Sequence, residues 1–196
     1  MELDYSYECT LSILIENQPS ILTRIIGLLS RRGFTIESLA VGSTEYAGLL
    51  RVVIVLPGNL RLIDQLTRQL YKIFTTVKIY NLTNSPSIIR ELILLKLIAS
   101  VEERRQILEI AEVFKLDIID YTNRTVTLEI TGDAKKIVAV EQMLHKFGIL
   151  EKVQTGSIGL TRESLTTGQL YTVEQDLIRR KMVDSHISEL ETKLYL

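Results

Sequence analysis

The side chains in this 196-residue chain that could serve as nucleophile, base or metal ligand are few and scattered. Its two histidines are His145 and His186, and Cys9 is its only cysteine. Nowhere does the sequence show Cys-x-x-Cys, paired-histidine metal spacing, a GxGxxG turn or a P-loop. Catalysis needs acids, bases or nucleophiles brought together, and this chain supplies no such set. Each histidine reads as a helix-surface residue, and Cys9, beside Thr10 at the edge of a strand, as strand packing. The chemistry that remains is binding. In ENQPSILTRIIGLLSRRGFTIESLAVGSTE (16–45) a polar loop, Asn17-Gln18-Pro19-Ser20, leads from an apolar strand into a helix. The first N–H groups of a helix have no partner inside it, so such a loop is a ready anion site. The carboxylate of a free amino acid would suit it.

The elements around that loop follow from periodicity. Leu11, Ile13 and Ile15 alternate with polar neighbours, which predicts a strand with one face inward. Pro19 reads as the first helical residue, where its missing N–H costs nothing. Ile21, Leu22, Ile25, Ile26, Leu28 and Leu29 recur at helical spacing, and Gly33 after Arg31 and Arg32 is a helix stop. A strand with Leu39 and Val41 on one face follows, then a strand over 49–56. Asn59 caps a second helix whose stripe is Ile63, Leu66, Leu70 and Ile73. Val77 and Ile79 alternate in a fourth strand. Asn84, Ser85, Pro86 and Ser87 form a domain link. The order then repeats: a strand over 92–98, a helix over 102–114, a hairpin turning at Asn123 and Arg124, a helix capped by Asp133 with Ile137, Val140, Leu144 and Phe147 as its stripe, and a last strand over 149–153. Two βαββαβ units predict an α+β protein of two tandem ferredoxin-like domains, 8–83 and 88–160, by divergent duplication or by convergence. A C-terminal extension, 161–196, is expected to be partly helical, with Thr172-x-x-Gln175 as a capping box ahead of Val183, Ile187, Leu190 and Leu194.

Composition narrows the function classes. The hydrophobic share is 46%, which supports a well-filled core, and no apolar run reaches the ~20 residues of a membrane span. A net charge of −1 gives no general pull toward nucleic acid or an anionic membrane. RRGF (31–34) has the letters of an RNA-binding core motif, but it ends a helix, and the strand over 49–56 lacks aromatics to stack on bases. A lone cysteine excludes an internal disulfide and suits a reducing compartment. The acidic opening MELDYSYE lacks the apolar core of a secretory signal and does not read as a transit peptide. Val53 and Val55 lie opposite Val52, Ile54 and Leu56, and Leu92 and Leu94 lie opposite Ile93, Leu95 and Leu97. Strands apolar on both sides imply two covered faces, and self-association is the simplest cover. Gly27, inside the first helix, costs roughly 1 kcal/mol against alanine. It therefore points to close packing, against either another subunit or the chain's own sheet.

Several segments, in order, carry a resemblance: LSILIEN (11–17), SRRGF (30–34), IESLAVG (36–42), RELILLK (90–96), TGDAKKI (131–137) and TGSIGLTR (155–162). They resemble the regulatory small subunit of acetohydroxyacid synthase, also called acetolactate synthase, whose N-terminal half is an ACT domain. The resemblance covers about four fifths of the chain and implies a non-catalytic partner of a separate large, catalytic subunit. That subunit would hold thiamine diphosphate, FAD and magnesium, none of which should bind here. The implied role is to activate the partner and to mediate feedback by a branched-chain amino acid such as valine, in valine, leucine and isoleucine synthesis. It also implies a homodimer paired through the ACT domains, with Asn17, Gln18, Pro19, Ser20, Ile21, Leu22, Thr35 and Ile36 forming the effector site at that pairing. The location would be the bacterial cytoplasm, or the plastid stroma if the gene is plastid-encoded. The alternative is a free-standing ACT-type amino-acid-binding module. Valine-responsive members usually carry glycine at the position of Ser20 and asparagine at that of Thr35, so valine's effect is expected to be weak here or another effector to have taken its place.

Overall fold

The computed structural model describes residues 8–162. Residues 1–7, His186, the capping box at Thr172 and Gln175 and the stripe Val183, Ile187, Leu190 and Leu194 lie outside the described residues. The elements are β1 (Glu8–Glu16), α1 (Ile21–Arg31), β2 (Ser38–Ser43), β3 (Leu49–Pro57), α2 (Leu60–Leu70), β4 (Thr76–Asn81), β5 (Ser87–Ile98), α3 (Val101–Phe114), β6 (Asp117–Tyr121), β7 (Thr125–Gly132), α4 (Ala134–Leu144), β8 (Ile149–Gln154) and β9 (Ile158–Thr161). The first sheet has strand order β2-β3-β1-β4 and the second β6-β7-β5-β8, with all described pairs antiparallel. This is the expected pair of βαββαβ units.

Alternation decides which way each strand faces. In β1, Cys9, Leu11, Ile13 and Ile15 join Val52, Ile54 and Leu56 of β3 in one core with Ile21, Ile25 and Leu29 of α1 and Ile63, Leu66 and Leu70 of α2. Ile93, Leu95 and Leu97 of β5 fill the second core with Val126, Leu128 and Ile130 of β7, Ile107 and Ala111 of α3, and the α4 stripe Ile137, Val140, Leu144 and Phe147. Burying each such side chain contributes roughly 1.5–3 kcal/mol, which is what holds helices onto the sheets.

The ends of the helices follow their local chemistry. The Asn59 side chain accepts from the Leu62 N–H at 3.0 Å, and Asp133 accepts from Lys136 at 2.8 Å. Ser100 and Glu103 form a reciprocal capping box on α3 that the sequence reading passed over. Gly33 (φ +70°) closes α1: its N–H meets the Ser30 carbonyl, and the Phe34 N–H meets that of Leu29. That is the two-bond closure glycine favours at this position. Ile73, read as the end of the α2 stripe, instead packs on the core from the turn beyond that helix.

Three further expectations change. Pro19 precedes the helix rather than opening it, because Ser20 adopts the left-handed conformation (φ +67°) and α1 begins at Ile21. The strand expected over 92–98 begins at Ser87. Its first four residues pair with β9 across Ser87↔Thr161 to Arg90↔Ile158, a partner some seventy residues away that local periodicity cannot reveal. Finally, the outer face of the first sheet is covered within the chain itself. Leu14, Val53 and Val55 are 1%, 3% and 6% exposed, so self-association is not needed to bury them, whereas Leu94 on the second sheet stays 38% exposed.

Candidate functional site

The loop before α1 is shaped by its own backbone bonds. Asn17 N–H donates to the Gly48 carbonyl at 2.8 Å, tying the loop to the β2–β3 connection, and Gln18 N–H donates to the Glu16 carbonyl at 2.9 Å. The Gln18 amide also donates to the Glu16 carboxylate at 3.0 Å. Ile21 N–H reaches the Gln18 carbonyl at 3.2 Å, and Arg24 N–H the Ser20 carbonyl at 3.1 Å. The N–H groups of Ser20, Leu22 and Thr23 have no hydrogen-bond partner among the described residues, and no acidic side chain occupies the first turn. The helix therefore presents its positive end, with unused donors, to solvent.

The structure sorts the predicted site residues into three groups. Asn17, Gln18, Pro19 and Ser20 are exposed around that helix start. Ile21 is 3% exposed and belongs to the core, while Leu22 is partly buried against the same cluster. These two position the loop rather than face a ligand. Thr35, exposed, and Ile36, partly buried, lie beyond Gly33 at the other end of α1. Eleven helical residues at 1.5 Å each put the two groups about 16 Å apart along the helix. One chain thus carries both halves of the candidate site without bringing them together.

The outer surface of α1 lies between those halves. Thr23, Ile26, Gly27 and Ser30 recur at +3, +4 and +7 and make one face of the helix. Thr23, Ile26 and Ser30 are exposed, Ile26 at 41%. A Cβ added at Gly27 would meet nothing within 4 Å. The reading of Gly27 as a contact with the chain's own sheet is thereby excluded, and the glycine faces outward. The α1 crossover joins β1 to β2 past β3, so the helix lies toward the β2 side of its sheet, where β2 has one unpaired edge and an exposed Val41.

Outside this region the described residues offer little reactive chemistry. Cys9 is buried in the first core, its thiol 3.6 Å from the Thr83 hydroxyl, and desolvation pushes its pKa up despite that contact. His145 is exposed. No three acidic, histidine or cysteine side chains converge on a metal position among the described residues, and no described helix is long and apolar enough to cross a membrane.

Comparison with known proteins bears on the family and the fold. Residues 11–78 match the family model described as the AHAS small subunit-like ACT domain, and residues 90–163 that of the small subunit of acetolactate synthase. A probable acetolactate synthase small subunit from Archaeoglobus fulgidus is 39% identical over 153 residues, 78% of this chain and 96% of that protein. The acetolactate synthase small subunit of Mycobacterium leprae is 40% identical over 153 residues, 78% of this chain and 90% of that protein. Acetolactate synthase small subunit 2, chloroplastic, of Arabidopsis thaliana is 46% identical over 155 residues, but the match spans only 32% of its length. Among solved structures, the acetolactate synthase small subunit from Thermotoga maritima superposes with a TM-score of 0.74 at 31% identity, covering 81% of this chain and 99% of that one.

Proposed function

Because the chain belongs to the acetolactate synthase small-subunit family, we propose that it is the amino-acid-responsive regulator of a separate catalytic subunit. That large subunit would be the holder of thiamine diphosphate, FAD and magnesium. The chain would work through an N-terminal ACT domain (8–83) and a C-terminal domain (88–160), in the bacterial cytoplasm or the plastid stroma. Two copies pair side by side through their N-terminal domains, with the α1 helices antiparallel and crossing at Gly27. A branched-chain amino acid, with valine as the first candidate, binds in the site this pairing completes.

One observation carries the reading: the two halves of the site sit at opposite ends of α1, and Gly27 lies midway between Ser20 and Phe34. A two-fold axis through Gly27 sets residue 20 of one copy against residue 34 of the other, and 19 against 35. The start of each helix then meets Thr35 and Ile36 of its partner, and the same pairing occurs twice, as two-fold symmetry requires. The missing side chain at Gly27 lets the helices approach closely there. The ligand's carboxylate would take the free N–H groups at the helix start, its ammonium the Asn17 side chain.

The test is reconstitution. The purified chain is added to the catalytic subunit from the same source, and acetolactate formation is followed with and without valine, leucine and isoleucine. Stimulation that one of the three reverses is the expected result. A chain that neither stimulates nor responds, or that sediments as a monomer at micromolar concentration, would overturn the proposal.

A further inference from the structure

Residues 155–157, which link β8 to β9, do more than connect two strands that pair with β5: they reach back to the first sheet. Thr155 clasps β5: its N–H donates to the Leu92 carbonyl at 3.0 Å, and its hydroxyl accepts from the Leu92 N–H at 3.1 Å. Gly156 lies against β2, so close that an added Cβ would stand 2.8 Å from the Ser38 hydroxyl and 2.9 Å from the Leu39 carbonyl. Ser157, 4% exposed, donates its N–H to the Ser38 hydroxyl at 2.8 Å and its own hydroxyl to the Glu91 carboxylate. The other Glu91 oxygen accepts from the Gln154 amide at 2.7 Å. Ser38, Ser157 and Glu91 thus form a continuous hydrogen-bonded path from the first strand after α1 to the central strand of the second sheet.

We infer that this path is the latch through which occupancy at Thr35 and Ile36 reaches the C-terminal domain, an inference that rests on the effector site proposed above. Ser38 follows Ile36 by two residues, and the Glu37 N–H between them is pinned to the Val55 carbonyl at 3.0 Å. An extended chain covers at most about 3.6 Å per residue, so this connection has no slack in which a ligand-induced shift could dissipate. Gly156 packs backbone to backbone on Leu39, so the latch cannot slide along β2. A shift of Ser38 must therefore carry Ser157 with it and draw on Glu91, or it must strand a buried N–H, which is costly. Either response makes β5 sense the first domain, giving two discrete arrangements that a ligand can bias.

The experiment uses the full chain with its catalytic subunit, L-valine as the probe, and Ser38→Ala, Ser38→Thr and Gly156→Ala as variants. Each is made in the wild-type chain and in the Ser20→Gly/Thr35→Asn chain. Calorimetry gives valine affinity, and turnover gives stimulation without valine and its change with valine. In Ser38→Ala, affinity and basal stimulation should stay within about two-fold while valine's effect on turnover falls about five-fold or more, the scale of an allosteric coupling; Gly156→Ala, whose Cβ presses on the Leu39 backbone, should lose the same response together with some stability. Ser38→Thr keeps the hydroxyl and should restore the response, which a merely damaged fold would not do. A full valine response in Ser38→Ala and Gly156→Ala at unchanged affinity overturns the latch. So does loss of basal stimulation in parallel with the response in Ser38→Ala. If valine binds neither the wild-type nor the Ser20→Gly/Thr35→Asn chain, the effector site itself is refuted, and the latch with it.

Discussion

Replacing Ser20 with glycine should stabilise the folded chain, although Ser20 stands at the N-cap of α1, where serine is normally favoured over most residues. The reason is its backbone. Ser20 holds φ +67° and ψ 6°, and its side chain makes no capping hydrogen bond. An L-residue in that left-handed region costs roughly 1–2 kcal/mol, which glycine does not suffer. Against this, glycine loses about 0.5–1 kcal/mol more backbone freedom on folding. The net gain is about 0.5–1 kcal/mol, or a rise in melting midpoint of about 1–4 °C for a chain of this length. Ser20→Ala is the control: it keeps the strain and removes a hydroxyl that caps nothing, so it should lie within about 0.5 kcal/mol of wild type. Urea denaturation of the three proteins reads both differences. A lower midpoint for Ser20→Gly, or a Ser20→Ala loss near 1 kcal/mol, would mean that the hydroxyl has a role and that the strain argument is wrong. The same substitution bears on the ligand. A glycine here would hold the helix start in this conformation unstrained and leave room over its free N–H groups. Combined with Thr35→Asn, which adds a donor and acceptor from the partner's side, Ser20→Gly should strengthen valine's effect, and Asn17→Ala should abolish whatever response exists. Tight calorimetric binding of valine to the unmodified chain would refute the ligand half of this argument.

Gly27→Ala should stabilise α1 by about 1 kcal/mol in the monomer, since its Cβ meets nothing, whereas Gly27→Leu should raise the dimer dissociation constant measured by sedimentation and leave each domain folded. Ser100→Ala should cost about 1 kcal/mol through loss of the α3 cap. Hydrogen bonds from Ser100 hold the Glu103 pKa below its ordinary 4.5. Its contribution is therefore present above pH 4.5 and lost as pH falls through the lower folded value, so acid titration should abolish the gap between Glu103→Gln and wild type. Cys9, buried with a raised pKa, should react with a thiol reagent at neutral pH only after denaturant unfolds the first domain; rapid labelling of the native chain would contradict its place in the core.

Most of the fold could be read from local pattern because local pattern produces it. The +3, +4, +3 stripes of α2 and α4 are apolar, and the side chains at Ile63, Leu66, Leu70, Ile137, Val140 and Leu144 are buried. Gly33 and Gly148 were legible as helix stops, and both hold positive φ. The capping box at Ser100 and Glu103 has its signature in the sequence and could have been found there. β9 could not. Ile158-Gly159-Leu160-Thr161 is too short and too exposed to show alternation, and it pairs with the start of β5, where consecutive Arg90 and Glu91 interrupt the apolar period.

The candidate site was legible as a list and illegible as a place. The residue types at 17–20 suggested an anion site and the family resemblance added Thr35 and Ile36, but neither says how far apart an eleven-residue helix holds them. If the proposed site needs both halves, a single copy cannot supply them together, and affinity for the ligand should rise with the fraction of chain that is paired. A helical glycine such as Gly27 suggests close packing, yet its empty surroundings show that no described residue of this chain packs there. Gly156 is the opposite case: an ordinary loop glycine in the sequence proves to be the point where the C-terminal domain touches the backbone of β2. Two glycines of similar appearance thus have different mutational signatures. Substitution at Gly27 should perturb association and spare the isolated chain, whereas substitution at Gly156 should perturb the chain whether or not it associates.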